Sequence, residues 1–228
     1  MREIVFDTET TGLSPQSGDR VVEIGCVEIF NRFPTGRTYH CYINPERDMP
    51  ESAFKVHGLS AEFLSSKPLF AAIAEDFLEF IGDDALVAHN AEFDISFLNM
   101  ELARIKKPPL AMGRVINTLL LARRKHPAGP NRLDDLCVRY KIDNSGRNLH
   151  GALLDAQLLA EVYAELVGGR QAALSLDASS TPAAQRIKKM QISARSEPLV
   201  PLLEEEEKAR HLAFIEELGA SALWKAYQ

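Results

Sequence analysis

The sequence predicts an α/β domain, built as a mixed five-stranded sheet flanked by helices, because its strand-like segments follow one another in two different ways. Three apolar runs with short links, at 2–7, 20–30 and 37–43, come first and are typical of antiparallel strands. Short strands then alternate with helical patterns, which is typical of parallel pairing. With 228 residues, 46% of them hydrophobic, the chain can build one core and has length to spare.

The alternating part of the chain supplies the remaining predicted elements. A strand is expected at 85–89 and a strand or turn at 113–117, and apolar spacing predicts helices at 70–81, 93–105, 118–125, 132–140 and 151–167. A Pro- and Gly-containing loop precedes the fourth of these helices, and Asn131 is expected to cap it.

Two acids stand at the end of the first predicted strand. Asp7 and Glu9 follow the apolar run Ile4-Val5-Phe6, and residues two apart on a strand project to the same side. Two carboxylates so close repel each other unless a cation lies between them. Hard oxygen ligands of this kind suit Mg²⁺ or Mn²⁺. A solvated acidic strand end is the alternative for this pair taken alone.

A third acid, Asp94, is predicted to lie in the first turn of the helix that follows the strand at 85–89. The helix dipole favours an ionised carboxylate at this position. Sites in α/β sheets form at the carboxyl ends of strands, so Asp94 can converge with Asp7 and Glu9 if their strands are neighbours. Taken alone, Asp94 could be an ordinary first-turn acid.

The third motif is His150 followed five positions later by Asp155. Five residues of helix turn through about 500 degrees, so two helical side chains at this spacing would not share a face. We therefore expect His150 on a loop and Asp155 in the first turns of the next helix, pointing inward. A structural histidine and a dipole-stabilising acid are the alternatives, and only the three motifs together favour a metal site with a base beside it.

The motifs F-D-T-E-T-T-G, H-N-A-E-F-D and His150-x4-Asp155 give residues 3–168 a specific resemblance. The chain resembles the DEDDh (DnaQ-like) 3′→5′ exonuclease family, and within it the proofreading epsilon subunits of bacterial DNA polymerase III. The resemblance implies a ribonuclease H-like fold and release of nucleoside 5′-monophosphates from a DNA 3′ end. It also implies two divalent metal ions (Mg²⁺ or Mn²⁺), with His150 as the general base and four ligands: Asp7, Glu9, Asp94 and Asp155.

The resemblance further implies a pocket for the terminal nucleotide. Leu13 and Phe93 would pack on its base or sugar and Asn90 would supply hydrogen bonds, although core packing is an alternative for the two apolar residues. The full set is Thr10, Leu13, His57, His89, Asn90 and Phe93. The chain departs from the family at Asn117, where relatives commonly carry an acid, and this departure puts local support of the site in doubt.

Charge and composition bound the possible partners. The net charge is −6, yet two clusters of basic residues could follow a phosphate backbone, with solvated helix ends as the alternative. Three scattered cysteines favour a reduced cytosolic setting, and no apolar run is long enough to span a membrane, so a cytoplasmic protein is expected. The clusters are Arg104, Lys106, Lys107 and Arg114, and then Arg123, Arg124, Lys125 and Arg132.

The composition changes after about residue 169, where the predicted exonuclease domain (1–169) ends. Residues 170–198 are expected to form a flexible linker whose segment 171–176 has the form Q-x-x-L-x-L. That pattern, carried by Gln171, Leu174 and Leu176, is similar to peptides that bind the sliding clamp, although a helix tail that matches by chance is the alternative.

The last segment, 199–228, has apolar residues at helical spacing, which suits docking into a groove of a partner. The resemblance implies that this partner is the polymerase III alpha subunit. The expected contact residues are Leu212, Ile215, Leu218, Leu223 and Trp224.

Three functions remain open on the sequence. The first is proofreading of the 3′ end of DNA for a replicative polymerase. The second is a related exonuclease that acts on RNA 3′ ends or in DNA repair, and the third is a non-catalytic assembly module. A D-x-D phosphatase is a distant fourth, because that class does not explain His150 and Asp155.

Overall fold

A computed structural model of the protein describes residues 1–147, 149–168 and 205–218. The strands are β1 (Arg2–Thr10), β2 (Val21–Phe30), β3 (Phe33–Tyr42), β4 (Ala85–Ala88) and β5 (Val115–Asn117). The helices are α1 (Glu51–His57), α2 (Ala61–Ser65), α3 (Phe70–Ile81), α4 (Ala91–Arg104), α5 (Thr118–Lys125), α6 (Leu133–Tyr140), α7 (Ala152–Leu166) and α8 (Glu205–Glu217). Short 3₁₀ turns lie at Pro15–Ser17 and Met112–Arg114.

The strands form one sheet in the order β3-β2-β1-β4-β5. The three N-terminal strands pair antiparallel, while β4 is parallel to β1 and β5 is parallel to β4. This confirms the predicted mixed five-stranded sheet. The sheet belongs to a compact unit that ends near residue 173, and α8 is the described part of a second unit. The predicted linker, 170–198, lies outside the described residues.

Three details differ from the sequence-based expectation. β1 continues to Thr10, so Asp7 and Glu9 lie inside the strand rather than at its end. Helices α1 and α2 were not expected, since each is too short to show a periodic apolar pattern. The predicted Asn131 cap is wrong: Arg132 is the N-cap residue of α6, and the Asn131 amide instead donates to two loop carbonyls.

The core lies on both faces of the sheet because side chains alternate along β1. Ile4 and Phe6 pack on the face that is covered by α3 and α4. Val5 packs on the opposite face, against Ala156 and Leu159 of α7. Helix α7 also packs against α5 and α6 through a third apolar cluster.

A buried ion pair fixes α4 to the beginning of β2. Arg20 donates from Nε to Glu101 Oε1 (2.6 Å) and from Nη2 to Glu101 Oε2 (2.9 Å). The Glu101 side chain is only 3% exposed, and a bidentate guanidinium–carboxylate pair restricts both position and orientation. This pair therefore holds the helix that carries Asp94.

Helix α7 approaches the sheet at Gly25 of β2. A Cβ atom at Gly25 would lie 2.2 Å from the Leu153 nitrogen and 2.3 Å from the Ala152 carbonyl carbon, both in the first turn of α7. No side chain fits at these distances, so the absence of a Cβ at Gly25 allows the helix to start here. Gly25 pairs with Asp7 across the two strands, which brings α7 next to that carboxylate.

We predict that Gly25→Ala lowers the free energy of unfolding by about 1–3 kcal/mol, because the added methyl group must displace backbone. Denaturant unfolding measures the change. The matched control is Gly113→Ala, where a Cβ would meet no atom within 4 Å, and its change should stay within about 0.5 kcal/mol. Equal stability of the two variants would contradict the close approach of α7.

Candidate active site

Two carboxylates project from β1 toward α7. Asp7 and Glu9 alternate with the core residues on the other face and share the side of Val5, which packs beneath α7. Asp7 pairs with Gly25 and Glu9 pairs with Glu23 in the β1–β2 register. The register shifts just after Glu9, so the strand is regular up to the second acid and irregular beyond it.

Asp94 comes to the same place from the other face of the sheet. It lies in the first turn of α4, directly after β4, and β4 is the parallel neighbour of β1. Asp94 Oδ1 accepts hydrogen bonds from the Thr8 backbone N–H (3.1 Å) and the Thr8 hydroxyl (2.6 Å). Thr8, between the two β1 acids, therefore orients the third. The sequence analysis did not single out Thr8.

His150 and Asp155 are arranged as the sequence analysis predicted. His150 lies on the loop before α7, and Asp155 lies buried in the first turn of that helix. The backbone N–H of His150 donates to the Val56 carbonyl (3.0 Å), so the unexpected helix α1 anchors the histidine loop. Candidate ligand atoms of Glu9, His150 and Asp155 lie within 4.8 Å of one another.

All five predicted catalytic residues line one open cavity of about 790 Å³. Other walls come from α5, α6 and the loop between them. The five residues are Asp7, Glu9, Asp94, His150 and Asp155.

Arg147 also lies in this cavity, and the sequence analysis missed it. Its Nε and Nη2 atoms donate to Asp155 Oδ1 (2.5 Å) and Oδ2 (2.6 Å), and Nη1 donates to Asp134 Oδ2 (2.7 Å). Its Nη2 also donates to His150 Nδ1 (2.7 Å). These hydrogen bonds, that to Asp155 first, raise the Arg147 pKa above its usual range. A cation three positions before His150 was the available signal.

The contact with Arg147 restricts what His150 can do. A guanidinium only donates, so Nδ1 must accept and its lone pair is occupied. In the neutral ring the proton then resides on Nε2. To take a proton from water, the ring would have to turn away from Arg147. The side chain is 47% exposed, which leaves room for that movement.

The crowded acids favour their protonated forms. Burial, and then the charge of Asp94, holds the pKa of Asp7 well above its usual range. Burial, with the charge of Asp155 next, raises the pKa of Glu9 to about 8. Burial raises the pKa of Asp94 to about 7, although hydrogen bonds to its charged form oppose the shift. The positive charge of Arg147 lowers the pKa values of Asp7 and Glu9 and only partly offsets these effects.

A second cavity of about 340 Å³ adjoins the first, and Thr8, Glu9 and Phe93 line both. The six residues expected to hold the terminal nucleotide divide between the two. Phe93 is shared, His89 and Asn90 line the large cavity, and the small cavity is lined by Thr10, Leu13 and His57.

The core-packing alternative fails for Leu13, which is 86% exposed. Phe93 does contact the core, since its ring centroid lies 4.9 Å from that of Phe97. Asn90 has a left-handed backbone (φ 63°, ψ 47°), which is uncommon for residues other than glycine. Core packing therefore stays an alternative for Phe93 but not for Leu13.

His57 has an unsatisfied polar atom in the small cavity. Its side chain is buried, and Nδ1 accepts a hydrogen bond from the Leu59 backbone N–H (3.0 Å), so Nε2 carries the proton of the neutral ring. Among the described residues Nε2 makes no hydrogen bond of good geometry. Burial lowers the pKa of His57, and a contact of the ring with the Thr10 backbone opposes this shift. A buried unpaired donor is costly unless a ligand satisfies it.

Asn117 has a structural role at the position where the family resemblance implies an acid. Its Oδ1 accepts from the Leu119 backbone N–H (3.0 Å) and so caps α5, while its Nδ2 donates to Glu92. A carboxylate could also cap the helix, but it would face Glu92 with a like charge. The departure at Asn117 therefore leaves the helix cap intact.

The structure describes only part of the predicted partner segments. Leu212, Ile215 and Leu218 fall in or directly after α8, where Leu212 and Leu218 are about half exposed. The clamp-peptide residues Gln171, Leu174 and Leu176, and the tail residues Leu223 and Trp224, lie outside the described residues. None of the described helices has both the length and the apolar character needed to cross a membrane.

Comparison with known proteins relates this geometry to a family. The model of a family described as exonuclease matches residues 4–163. A DNA polymerase III subunit epsilon of Rickettsia felis is 58% identical over 179 residues, covering 77% of this chain and 78% of that protein. The epsilon subunit of Escherichia coli strain K12 is 41% identical over 237 residues, covering 99% and 98%.

Solved structures agree with this relationship. Exonuclease X in complex with 5′ overhanging duplex DNA superimposes with a TM-score of 0.57 at 26% identity, covering 74% of this chain and 92% of that chain. Exonuclease I of E. coli in complex with a dT13 oligonucleotide gives a TM-score of 0.64 at 20% identity, covering 75% of this chain and 41% of that chain. At this identity the likeness supports only the fold. The chain therefore belongs to the exonuclease family, among the DNA polymerase III epsilon subunits.

Proposed function

We propose that this protein is the proofreading 3′→5′ exonuclease of a replicative DNA polymerase and removes mismatched 3′-terminal deoxynucleotides. The observation that carries the proposal is the convergence of four carboxylates and one histidine on a cavity that adjoins a second, smaller one. Membership of the exonuclease family among the epsilon subunits supports the same activity.

The acidic residues suit divalent metal ions. Carboxylate oxygens are the donors that Mg²⁺ and Mn²⁺ prefer, and Arg147 already places a positive group against Asp155. Two such ions, bound by Asp7, Glu9, Asp94 and Asp155, would activate the attacking water and stabilise the leaving 3′ oxygen. Burial is the main cause of the raised pKa values of Asp7 and Glu9, and the negative charge of the neighbouring acids, which would also attract cations, adds to it.

His150 acts as the general base in this proposal. An imidazole can accept and release a proton near neutral pH, which suits removal of a proton from water. Its loop is anchored to Val56, so the ring can turn away from Arg147 while its backbone stays in place. Asp155, 3.4 Å from Nδ1, remains beside the ring.

The small cavity would hold the terminal nucleoside. Leu13, Ala53 and Val56 offer apolar surface to a base or sugar, and Phe93 lies where the two cavities meet. The unpaired Nε2–H of His57 would donate a hydrogen bond to an oxygen of that nucleoside. His89 and Asn90 would contact the nucleotide from the larger cavity.

The C-terminal segments would connect the nuclease to its replication partners. We propose that 199–228 binds the polymerase alpha subunit through the apolar side of α8, and that 171–176 binds the sliding clamp. A tether raises the local concentration of the nuclease at the primer end to about the millimolar range. This attachment would offset weak intrinsic binding of DNA by a chain of net charge −6.

The site is tested by Asp94→Asn and His150→Ala, each of which we predict to lower Mg²⁺-dependent cleavage of a mismatched primer by about 100-fold or more. Glu92→Gln is the matched control for the first variant, because Glu92 is an exposed acid in the same turn of α4 and does not line the cavity. Its activity should change less than about twofold. Unchanged degradation by both site variants would overturn the assignment of the catalytic residues.

A second prediction concerns pH and stability without metal. The folded-state pKa values of Glu9 (about 8) and Asp94 (about 7) exceed those of an unfolded chain, so the folded protein holds extra protons between about pH 4 and 8. Stability in a chelator should therefore fall as the pH rises from 5 to 8. We expect a loss above about 1.4 kcal/mol, the equivalent of one pKa unit.

Thermal and denaturant unfolding at pH 5, 6.5 and 8 measure this loss. Asp7→Asn should flatten the dependence by removing a carboxyl group whose own pKa is held well above its usual range, and Mg²⁺ should restore stability more at pH 8 than at pH 5. Glu92→Gln should keep the dependence of the unmodified protein. A chelated protein that is equally stable at pH 5 and pH 8 would contradict the electrostatic description.

The third prediction separates the two partner segments. Deletion of 199–228 should abolish co-purification with the polymerase catalytic subunit and leave degradation of a free oligonucleotide within about twofold, because the catalytic residues lie before Leu166. Leu174→Ala with Leu176→Ala should weaken binding to the sliding clamp and leave the polymerase interaction intact. Retention of the polymerase by the shortened chain would contradict the assignment of the tail.

A further inference from the structure

The two basic clusters of the sequence contain residues that line the large cavity and residues that have partners elsewhere. Of their eight residues, Arg123 and Arg132 line the large cavity. Residues of the first cluster have partners elsewhere: Lys107 pairs with Glu75, and Arg114 donates to a backbone carbonyl (2.6 Å). Arg123 and Arg132 therefore differ from the other residues of the two clusters by their place in the large cavity.

Both arginines lack an acidic partner within the described residues, although carboxylates line the same cavity. Arg147, the third arginine of the cavity, is committed to Asp155 and Asp134. Arg123 lies near the His89 ring, because its charge contributes to lowering the His89 pKa after the larger effect of burial. Two exposed guanidinium groups are therefore available to an anionic ligand.

The loop before Arg132 is held in one arrangement. The Asn131 amide donates to the carbonyls of His126 (3.1 Å) and Gly129 (2.9 Å), and Arg139 Nη2 donates to the Pro130 carbonyl (3.1 Å). A Cβ at Gly129 would lie 2.4 Å from Arg139 Nη2, so the loop packs closely on that guanidinium. The backbone that presents Arg132 is thus preorganised, which lowers the entropic cost of binding a ligand.

The position of the two arginines matches the path of a bound strand. If the terminal nucleoside occupies the small cavity, the scissile phosphate lies where the two cavities meet, beside Glu9 and Thr8. The rest of the strand then extends into the larger cavity, whose lining includes Arg123 of α5 and Arg132 at the beginning of α6. The first phosphate beyond the scissile one would reach a cationic wall.

We propose that Arg123 and Arg132 form a binding subsite for an internal phosphodiester of a single nucleic acid strand, next to the scissile linkage. This inference rests on the proposed function and adds a second contact to it. The planar guanidinium group binds phosphate oxygens through paired hydrogen bonds. The subsite also offsets the repulsion between a polyanionic strand and the acidic residues, and it favours substrates with at least two phosphodiester linkages.

The first experiment compares two substrates of the full-length protein. The p-nitrophenyl ester of thymidine 5′-monophosphate has one cleavable phosphodiester and no internal phosphate. A single-stranded oligonucleotide has a cleavable phosphodiester and internal phosphates. Arg123→Gln and Arg132→Gln should each lower kcat/KM for the oligonucleotide by about tenfold and leave that for the ester within about twofold. Arg123→Lys should recover part of the loss.

Arg124→Gln is the matched control, because Arg124 is the exposed neighbour of Arg123 on α5 and does not line the cavity. The logarithmic salt dependence of oligonucleotide binding should lose about 0.7 in slope for each phosphate contact removed, and Arg124→Gln should keep the slope of the unmodified protein. Equal losses on both substrates, or equal effects of Arg123→Gln and Arg124→Gln, would overturn the subsite.

A second experiment locates the phosphate. Single uncharged methylphosphonate linkages are placed at successive positions of the oligonucleotide. A methylphosphonate at the linkage next to the scissile one should lower kcat/KM for the unmodified protein. The same methylphosphonate should have little further effect on the double variant Arg123→Gln with Arg132→Gln.

If the loss of kcat/KM caused by the methylphosphonate and the loss caused by the two arginine substitutions add fully, the arginines and this phosphate do not interact. An unmodified protein that cleaves neither ester nor oligonucleotide would instead contradict the proposed function. The two failures are therefore distinguishable.

Discussion

The close approach of α7 to β2 is the constraint on which the rest of the site depends. The four carboxylates come from both faces of one sheet, since α4 and α7 cover opposite sides of β1. They can meet only if each helix begins close to the end of the sheet. The missing side chain at Gly25 allows this for α7, and the buried pair of Arg20 and Glu101 fixes α4. Two unrelated packing features thus determine one cavity.

The same convergence creates an electrostatic cost that the protein only partly offsets. Arg147 neutralises Asp155, but Asp7, Glu9 and Asp94 are left to share protons in a buried setting. A cluster of this kind weakens the folded state, and the cations proposed to bind there would offset that cost, a familiar exchange between stability and function. Arg147 also donates to His150 Nδ1, so the lone pair of that nitrogen is occupied by the same guanidinium group that pairs with Asp155.

Short sequence patterns predicted the residues of the site better than the residues and elements that hold them in place. The two-residue spacing of Asp7 and Glu9 and the five-residue spacing of His150 and Asp155 follow from strand and helix geometry, and the structure places them accordingly. Arg147 was missed because its partners come from three different segments. Helix α1 has no periodic pattern, and the Asn131 cap failed because nearby carbonyls competed for its side chain.

The position of α7 in the chain has a consequence for biosynthesis. The first two acids are translated near the start of the domain and the last one near its end, with nearly all of the sheet and its other helices in between. During synthesis, the acids of β1 and α4 therefore exist without their counterpart until α7 emerges and packs against β2. A growing chain therefore lacks Asp155, one of the four proposed metal ligands, until almost the whole domain has been made.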